Sequence, residues 1–432
     1  MTSRKPRVVL GVSAGIAAYK ACELLRRLTE SGHDVRVVPT ADALRFVGEP
    51  TWAALSGHPV STEVWDDVAE VPHVRLGQGA DLVLVAPATA DLLARAAHGL
   101  ADDLLTNTLL TARCPVVFAP AMHTEMWLHP ATRANVETLR SRGALVIEPA
   151  SGRLTGADTG PGRLPDPAEL FDVARHVLAR TARAEPGEGG TGGSADGSGP
   201  ATAAEAAAAW HDLAGRHVVI SAGGTREAID PVRYLGNRSS GLQGYALART
   251  AVARGARVTL VAANVALPDP AGAEIVPAGS AEEMRKAVLE AAGTADAVVM
   301  AAAVADFRPA DYRDLKIKKT PGTEPEPIRL VKTADILAEL GERRPAGQVV
   351  VGFAAETDDV LENGRTKLAR KRSDLLVVNQ VGVDLAFGRP DNAAVVLGAD
   401  GSRTDVPRGP KEALAEIVWD LVAARLESRP PD

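Results

Sequence analysis

The sequence predicts an α/β protein with two doubly wound domains, each built on a mostly parallel sheet, joined by a flexible linker. Short apolar runs alternate with longer amphipathic stretches in both halves of the chain, which is the pattern of strands and helices in parallel sheets. The same strand–turn–helix opening occurs at residue 7 and again at residue 217. A polar, glycine-rich segment separates the two halves.

The first half opens with a strand, Arg7–Val12, that leads through a tight turn into a helix, Ile16–Glu30. Gly11, Ser13 and Gly15 form this turn, so backbone N–H groups face whatever lies above the sheet. The glycine spacing is G-x-x-x-G, which differs from the G-x-G-x-x-G dinucleotide fingerprint. The turn predicts either a phosphate cradle or a close helix–strand crossing that needs small residues.

The other elements of the first half follow from apolar periodicity. The predicted strands are Asp34–Pro39, Leu82–Ala86, Pro115–Ala119 and Ala144–Ile147, and the predicted helices are Thr132–Arg142 and Pro167–Arg180. The stretch 150–164 is so rich in glycine that neither helix nor strand is expected, and we interpret it as a mobile loop or lid.

Two of these strands end in proline turns that open onto small or soft side chains. Ala88 and Thr89 follow the first turn, and Met122, His123 and Met126 follow the second. Ligands of parallel sheets bind at the carboxyl ends of strands, so both corners are candidate binding walls. Methionines beside a tryptophan are, however, more often part of a core than of a site.

Residues 181–212 are dominated by Ala, Gly, Ser, Glu and Pro. Such a composition cannot bury enough apolar surface to order itself, so we expect a linker there. The expected domains are residues 1–180 and residues 213–432.

The second half repeats the alternation of strands and helices. The predicted strands are His217–Ser221, Arg257–Ala262, Ala297–Ala303, Val349–Phe353, Leu375–Val378 and Ala393–Leu397. The predicted helices are Tyr245–Arg254, Ala281–Ala292, Ala334–Glu342, Asp358–Arg372 and Lys411–Leu426. The polar stretch 226–241 is expected to be irregular.

Cationic side chains collect in the second half near a Gly-Gly turn. Arg233 lies in the polar stretch, and Lys316 and Lys318 lie in LKIKK after Asp306. Glycines at strand ends and cationic side chains suit a nucleotide triphosphate, although short lysine runs are more often solvated loops. Asp306 suits Mg²⁺, a ribose or a base edge, or a turn or cap. Asn237, in NRSSG, by itself indicates a turn.

The bulk composition excludes several classes of function. A net charge of −7 argues against coating nucleic acid or an anionic membrane. Two cysteines cannot form a disulfide framework or a cysteine-rich metal site, which fits a cytoplasmic protein. No apolar run is long enough to span a membrane, and no signal peptide is expected.

Longer motifs carry a family resemblance. SAGIAAYKA, HVRL, APATADLLA, PAMHTEMW and GADTGPGRL resemble, in this order, the flavin-dependent phosphopantothenoylcysteine decarboxylases. SAGGTREAIDPVRYLGNRSSG, AAAVADFRP, KIKK and GFAAET resemble phosphopantothenate–cysteine ligase. The chain thus resembles the bifunctional bacterial enzymes of coenzyme A biosynthesis, which implies two flavodoxin/Rossmann-like domains.

In the second domain the resemblance implies a ligase. CTP with Mg²⁺ would activate 4′-phosphopantothenate as an acyl-cytidylate, and cysteine would displace CMP. Lys316 would hold the triphosphate and Asn237 the acyl intermediate, so both are implied catalytic residues. The implied substrate-binding residues are Arg233, Asp306, Lys318 and Phe353.

In the first domain the resemblance implies an FMN-dependent decarboxylase that yields 4′-phosphopantetheine. A lone histidine is usually structural or exposed, but the resemblance makes His73 the acid/base. The implied FMN contacts are Gly11, Ser13, Gly15, Thr40, Ala88 and Thr89, and the implied substrate contacts are Met122, His123 and Met126. The resemblance also implies a homo-oligomer with trimeric flavin domains and dimeric ligase domains, and a dodecamer is one assembly of this kind.

The chain departs from the family pattern at two positions. His123 stands where members have asparagine, and Gly156 stands where members have a proton-donating flap cysteine. An alternative is therefore an active ligase whose first domain binds flavin but serves as a regulatory module or scaffold. A flavodoxin-like redox protein is a poorer interpretation, because it leaves the ligase half without a use.

Overall fold

The computed structural model describes residues 4–63, 71–154, 158–184, 211–318, 327–356, 360–380 and 391–428. The chain divides into two compact units, residues 1–214 with 252–255 and residues 215–251 with 256–432. Residues 185–210, most of the expected linker, lie outside the described residues. Its first residues continue the preceding helix to Ala184. No helix in the described ranges is long and apolar enough to cross a membrane.

The first unit contains a five-stranded parallel sheet in the order β2-β1-β3-β4-β5. Its strands are β1 Arg7–Val12, β2 Asp34–Pro39, β3 Leu82–Ala88, β4 Val116–Pro120 and β5 Leu145–Val146. The order reverses between β1 and β3, the switch point of a flavodoxin-like sheet. Every residue of β3 is buried, as expected for a central parallel strand.

Helices connect these strands. They are α1 Ala18–Glu30, α2 Glu49–Ser56, α3 Pro72–Gly79, α4 Ala90–His98, α5 Leu104–Thr111, α6 Thr124–Leu128, α7 Pro130–Ser141 and α8 Pro167–Ala184. Polar caps fix several starts. Thr89 accepts from the N–H of Leu92 at the start of α4, and Asp103 forms a capping box with Thr106 at α5.

The glycine-rich stretch 150–164 contains a β-hairpin, so the expectation of a loop without strands was wrong. Strand β6, Ala150–Arg153, pairs antiparallel with β7, Thr159–Arg163. Gly162 has a φ of +149°, and a Cβ there would lie 2.2 Å from the carbonyl oxygen of Met122. Glycine here allows the hairpin to dock closely on the chain after β4.

The second unit contains an eight-stranded sheet in the order β12-β11-β8-β13-β16-β17-β18-β19. Its strands are β8 His217–Gly223, β11 Arg257–Ala263, β12 Ala273–Ala278, β13 Ala297–Met300, β16 Val349–Glu356, β17 Leu375–Gln380, β18 Asp391–Gly398 and β19 Arg403–Pro410. The first six strands are parallel in the Rossmann order, and β18 and β19 add an antiparallel edge. The order reverses between β8 and β13.

Two short antiparallel pairs and a set of helices complete the second unit. The pairs are β9 Arg226–Ala228 with β10 Tyr234–Gly236, and β14 Phe307–Pro309 with β15 Leu330–Lys332. The helices are α9 Leu242–Ala253, α10 Ala281–Ala292, α11 Ile336–Arg343, α12 Val360–Lys371 and α13 Lys411–Glu427. The stretch 226–241 is therefore not wholly irregular, and the strand expected to reach Ala303 ends at Met300.

Candidate active sites

The turn after β1 in the first unit is braced by the hydroxyl group of Ser13. This hydroxyl donates to the carbonyl oxygen of Pro87 at 2.8 Å and accepts from the N–H of Thr89 at 2.9 Å. Ser13 is 1% exposed. The side chain thus ties the carboxyl ends of β1 and β3 together, on the two sides of the switch point.

The other expected FMN contacts differ in their surroundings. Gly11 packs against the core, because a Cβ there would lie 2.6 Å from Leu105. Ala88 is also buried in the core. Gly15, at φ +149°, leaves open space where a side chain would lie. The hydroxyl of Thr40 caps the short helix that follows β2. Gly15 therefore lies where a ligand has room, whereas Gly11 and Ala88 support the sheet and Thr40 is a buried helix cap.

His73 lies in the first turn of α3. Its Nδ1 atom is buried and has no hydrogen-bond partner among the described residues. Thr111 of α5 donates to the His73 carbonyl oxygen at 2.7 Å. Gly77 keeps the two helices close, since a Cβ there would lie 2.2 Å from the Thr111 hydroxyl oxygen. The helix is thus firmly positioned, while the imidazole keeps a free polar atom.

His123 lies in the chain after β4 and reaches toward the hairpin at Asp158. Its Nδ1 hydrogen-bonds Glu125, and its Nε2 lies 3.4 Å from an oxygen of Asp158. The Glu125 carboxylate raises the pKa of His123, and Asp158 adds to the shift. The N–H of Met122 donates to the carbonyl oxygen of Gly162 at 3.0 Å, which docks the hairpin on this wall. Met126 is 48% exposed beside it.

The cysteines do not supply the missing flap thiol. Gly156 lies outside the described residues, whereas Cys22 and Cys114 lie in α1 and before β4. Burial raises the pKa of Cys114 to about 12, and burial also raises the pKa of Cys22. Both thiols therefore stay protonated at neutral pH and are poor nucleophiles.

The second unit has a cavity of about 880 Å³ at the carboxyl ends of β13 and β16, next to the switch point. Asn237, Asp306 and Phe353 line it, so the structure brings together three residues expected from separate motifs. Arg233, Lys316 and Lys318 are not part of this lining. No group of three or more His, Cys, Asp or Glu side chains could hold a metal ion within the described ranges.

Hydroxyl groups hold the wall of this cavity against β8. The hydroxyls of Ser221 and Thr225 accept from the N–H groups of Ala302 and Ala305 at 3.1 and 2.9 Å. Asn237 donates its side-chain amide to the carbonyl oxygen of Val304 at 2.9 Å. The amide of Asn237 is therefore oriented by the same loop that lines the cavity.

Asp230 organises a second cluster in this unit. Its buried carboxylate accepts from the N–H groups of Val232 and Arg233 at 2.8 Å each and of Ile317 at 3.2 Å. Burial acts to raise the pKa of Asp230, but these backbone donors outweigh it and lower the pKa below its ordinary value. Asp230 is a turn organiser that joins Arg233 to the segment between Lys316 and Lys318.

Four lysines of the cavity were not expected from the sequence. They are Lys332, Lys367, Lys371 and Lys411. They come from β15, α12 and the start of α13, so no local motif joins them. Lys371 forms an ion pair with Asp335. Only the folded chain places these ammonium groups around one space.

Comparisons with known proteins agree with this architecture. A family model described as a flavoprotein matches residues 1–179, and one described as a DNA/pantothenate metabolism flavoprotein C-terminal domain matches residues 213–426. The fold and these matches define a two-part protein of pantothenate metabolism with a flavoprotein half.

Curated relatives extend over the whole chain. Coenzyme A biosynthesis bifunctional protein CoaBC of Mycolicibacterium smegmatis is 55% identical, covering 99% of this chain and all of the relative. The protein of the same name from Bacillus subtilis is 42% identical, covering 96% of each chain. The solved C-terminal domain of a CoaBC protein is 35% identical with a TM-score of 0.44, covering 51% of this chain and all of that domain.

The chain therefore belongs to the family of bifunctional coenzyme A biosynthesis proteins. The expectation of two enzymatic halves, a phosphopantothenoylcysteine decarboxylase and a phosphopantothenate–cysteine ligase, is confirmed.

Proposed function

We propose that the chain makes 4′-phosphopantetheine in two successive steps. The second unit joins 4′-phosphopantothenate to CTP as an acyl-cytidylate with loss of pyrophosphate, and cysteine then displaces CMP to form the amide. The first unit removes the cysteine carboxylate of this product as CO₂. The observation that carries the ligase assignment is the cavity that collects Asn237, Asp306 and Phe353 at the strand ends.

The ligase roles follow from the chemistry of the cavity walls. Asn237 holds the acyl group, because Val304 fixes its amide at the cavity surface. Asp306 and Phe353 hold the nucleotide through a carboxylate and an aromatic face. Lys316 and Lys318 offset phosphate charge, and Arg233 binds the 4′-phosphopantothenate side.

Mg²⁺ is proposed to enter with the CTP phosphates rather than through a protein cage. Carboxylate-poor sites commonly hold Mg²⁺ through substrate phosphates and water. This fits the lack of a metal-ligand cluster in the described ranges.

The first unit is proposed to bind FMN at the carboxyl ends of β1, β2 and β3. The open space at Gly15, the cap hydroxyls of Thr40 and Thr89 and the unpaired Nδ1 of His73 fit a ligand with a phosphate and polar ring atoms. Bound FMN supplies the electron sink that decarboxylation needs. His73 moves the proton as acid/base, and Met122, His123 and Met126 hold the substrate. Ser13 contributes by bracing the turn.

The proposal includes a homo-oligomer with trimeric flavin units and dimeric ligase units, which together allow a dodecamer. Exposed apolar side chains support burial between copies, such as Ile16 at 72% and Leu315 at 83% exposure. Light scattering of the full chain tests this. A cytoplasmic location stays a prediction.

The test uses purified full chain with 4′-phosphopantothenate, cysteine, CTP and Mg²⁺. Asn237→Asp is expected to stop CMP release, because the new carboxylate would face the carbonyl oxygen of Val304 and repel the acyl phosphate. It should still release CO₂ from added phosphopantothenoylcysteine. His73→Asn is expected to show the reverse. If Asn237→Asp forms amide at the normal rate, the ligase assignment of this residue is wrong. CMP release without CO₂ in the wild type would favour a scaffold role for the first unit.

A further inference from the structure

Lys411 stands apart among the lysines of the ligase cavity. It is only 7% exposed, yet it lines the cavity. Lys371 is paired with Asp335. By contrast, no hydrogen bond or ion pair reaches the Lys411 ammonium from the residues that the structure describes. A buried, unpaired ammonium is rare, because burial without a partner is costly.

The position of Lys411 adds to this cost. It is the first residue of α13, and the N-terminus of a helix carries partial positive charge that disfavours a cation. Burial lowers the pKa of Lys411, and the charges of Asp391 and Glu412 only partly oppose this. Asp391 is already bound by Arg408 at 2.6 Å. A charged lysine at position 411 therefore contributes nothing evident to the stability of the fold.

Two helix starts meet at this place. Gln243, in the first turn of α9, donates its Nε2 to the carbonyl oxygen of Lys411 at 3.2 Å. The first N–H groups of α9 and α13 have no acceptor within their helices. The Lys411 ammonium and these two helix N-termini thus give one wall of the cavity a positive character, which suits an anion.

Two amide oxygens of residues that line the same cavity have no hydrogen-bond donor among the described residues. The Oε1 of Gln243 and the Oδ1 of Asn379 are buried and have no hydrogen-bond partner in the described part of the chain. Both residues line the cavity. Buried acceptors need donors, so the matching ligand carries O–H or N–H groups near its anionic group.

We propose that Lys411 is a phosphate-binding residue of the ligase unit. Its ammonium holds a phosphate group of a substrate, while Gln243 and Asn379 accept from hydroxyl or amide groups of the same molecule. This inference rests on the proposed ligase function. Both 4′-phosphopantothenate and CTP carry a phosphate with such donors nearby, so the test must separate them.

The test is Lys411→Met in the full chain, with KM measured separately for 4′-phosphopantothenate and for CTP by CMP release. Loss of a charge-assisted hydrogen bond raises KM for one substrate by roughly tenfold or more. The substrate whose KM rises is the source of the phosphate. The matched control is Lys286→Met, on the exposed face of α10, which should change neither KM. Unchanged KM values for both substrates in Lys411→Met would overturn the proposal.

Thermal unfolding without ligands separates binding from a structural role. Removing a buried, unpaired ammonium should raise Tm by about 2 to 4 °C. Pyrophosphate should stabilise the wild type and not Lys411→Met. The pyrophosphate measurement tests phosphate binding by Lys411 even if the wild type releases no CMP. Absence of CMP release would refute the proposed ligase function and not the role of Lys411. A lower Tm with equal pyrophosphate stabilisation in both proteins would show that Lys411 is structural.

Discussion

At the residue scale, polar groups at both sites are held by the backbone of neighbouring loops. Ser13 uses its hydroxyl to join two strand ends. Asn237 is oriented by the carbonyl oxygen of Val304, and Asp230 by three backbone N–H groups. Such bonds fix side chains before a ligand arrives, which reduces the entropy lost on binding.

His123 allows a test by titration. Its raised pKa keeps it protonated to higher pH, so its attraction for a carboxylate is complete below its ordinary pKa of 6.5 and is lost as pH rises through the folded value. Glu125→Gln should lower the His123 pKa, and only modestly, because both groups are exposed to solvent. NMR titration of the His123 ring measures this directly. An unchanged pKa in Glu125→Gln would show that Glu125 is not the cause.

Asp230→Asn should loosen the loop that carries Arg233. The amide offers a donor where the carboxylate accepted from backbone N–H groups, so KM for 4′-phosphopantothenate should rise roughly tenfold. Steady-state CMP release measures it, and Asp311→Asn, at an exposed carboxylate, is the control.

The pH dependence of stability follows from the same carboxylate. The folded pKa of Asp230 is lowered, so its contribution is present above the ordinary value of 3.8 and is lost as pH falls through the folded value. The difference in urea midpoint between wild type and Asp230→Asn should therefore shrink in acid. A difference that grows as pH falls would contradict this role.

At the scale of elements, the strands that could be predicted from the sequence are those that are buried on both faces of a sheet. Strands such as β1 and β3 are nearly or fully buried, so unbroken apolar runs marked them. Strand β12 is only partly buried and strand β19 is largely exposed, so neither gave such a signal. The hairpin was missed because its glycines indicated a loop, whereas Gly162 allows close packing on the Met122 carbonyl oxygen and Gly160 on the Thr124 side chain.

Some residues of the candidate sites could likewise be predicted from the sequence, and others could not. Long motifs located Asn237, Asp306 and Phe353, because each lies within a contiguous, distinctive segment. Lys371 and Lys411 could not be found this way, since their joint position depends on how α12 and α13 meet the sheet. The burial of Lys411, from which we infer its role in phosphate binding, is visible only in the folded structure.

The hairpin provides a prediction at this scale. Gly162→Ala would place a methyl group 2.2 Å from the Met122 carbonyl oxygen at a φ of +149°. The clash should reduce the stability of hairpin docking on the chain after β4 by about 1 to 3 kcal/mol. Decarboxylation should fall, and CMP release should be unchanged. The control is Gly48→Ala, where the new methyl meets only Pro50 at 3.6 Å. Normal decarboxylation in Gly162→Ala would show that hairpin docking is not required.

At the scale of the whole molecule, each unit places its candidate site at the switch point of its own sheet. The first sheet reverses between β1 and β3, and the second between β8 and β13. The family to which the chain belongs joins a decarboxylase to a ligase, and the product of the ligase is the substrate of the decarboxylase. The two proposed reactions should therefore run in sequence on one chain.

The ratio of CO₂ to CMP shows whether the two reactions run in sequence on one chain. Purified wild-type chain loaded with FMN is supplied with 4′-phosphopantothenate, cysteine, CTP and Mg²⁺, and both products are measured at completion. If the two reactions run in sequence on one chain, equal amounts of CMP and CO₂ are expected, with 4′-phosphopantetheine as the final product. CMP formed without CO₂ would contradict it.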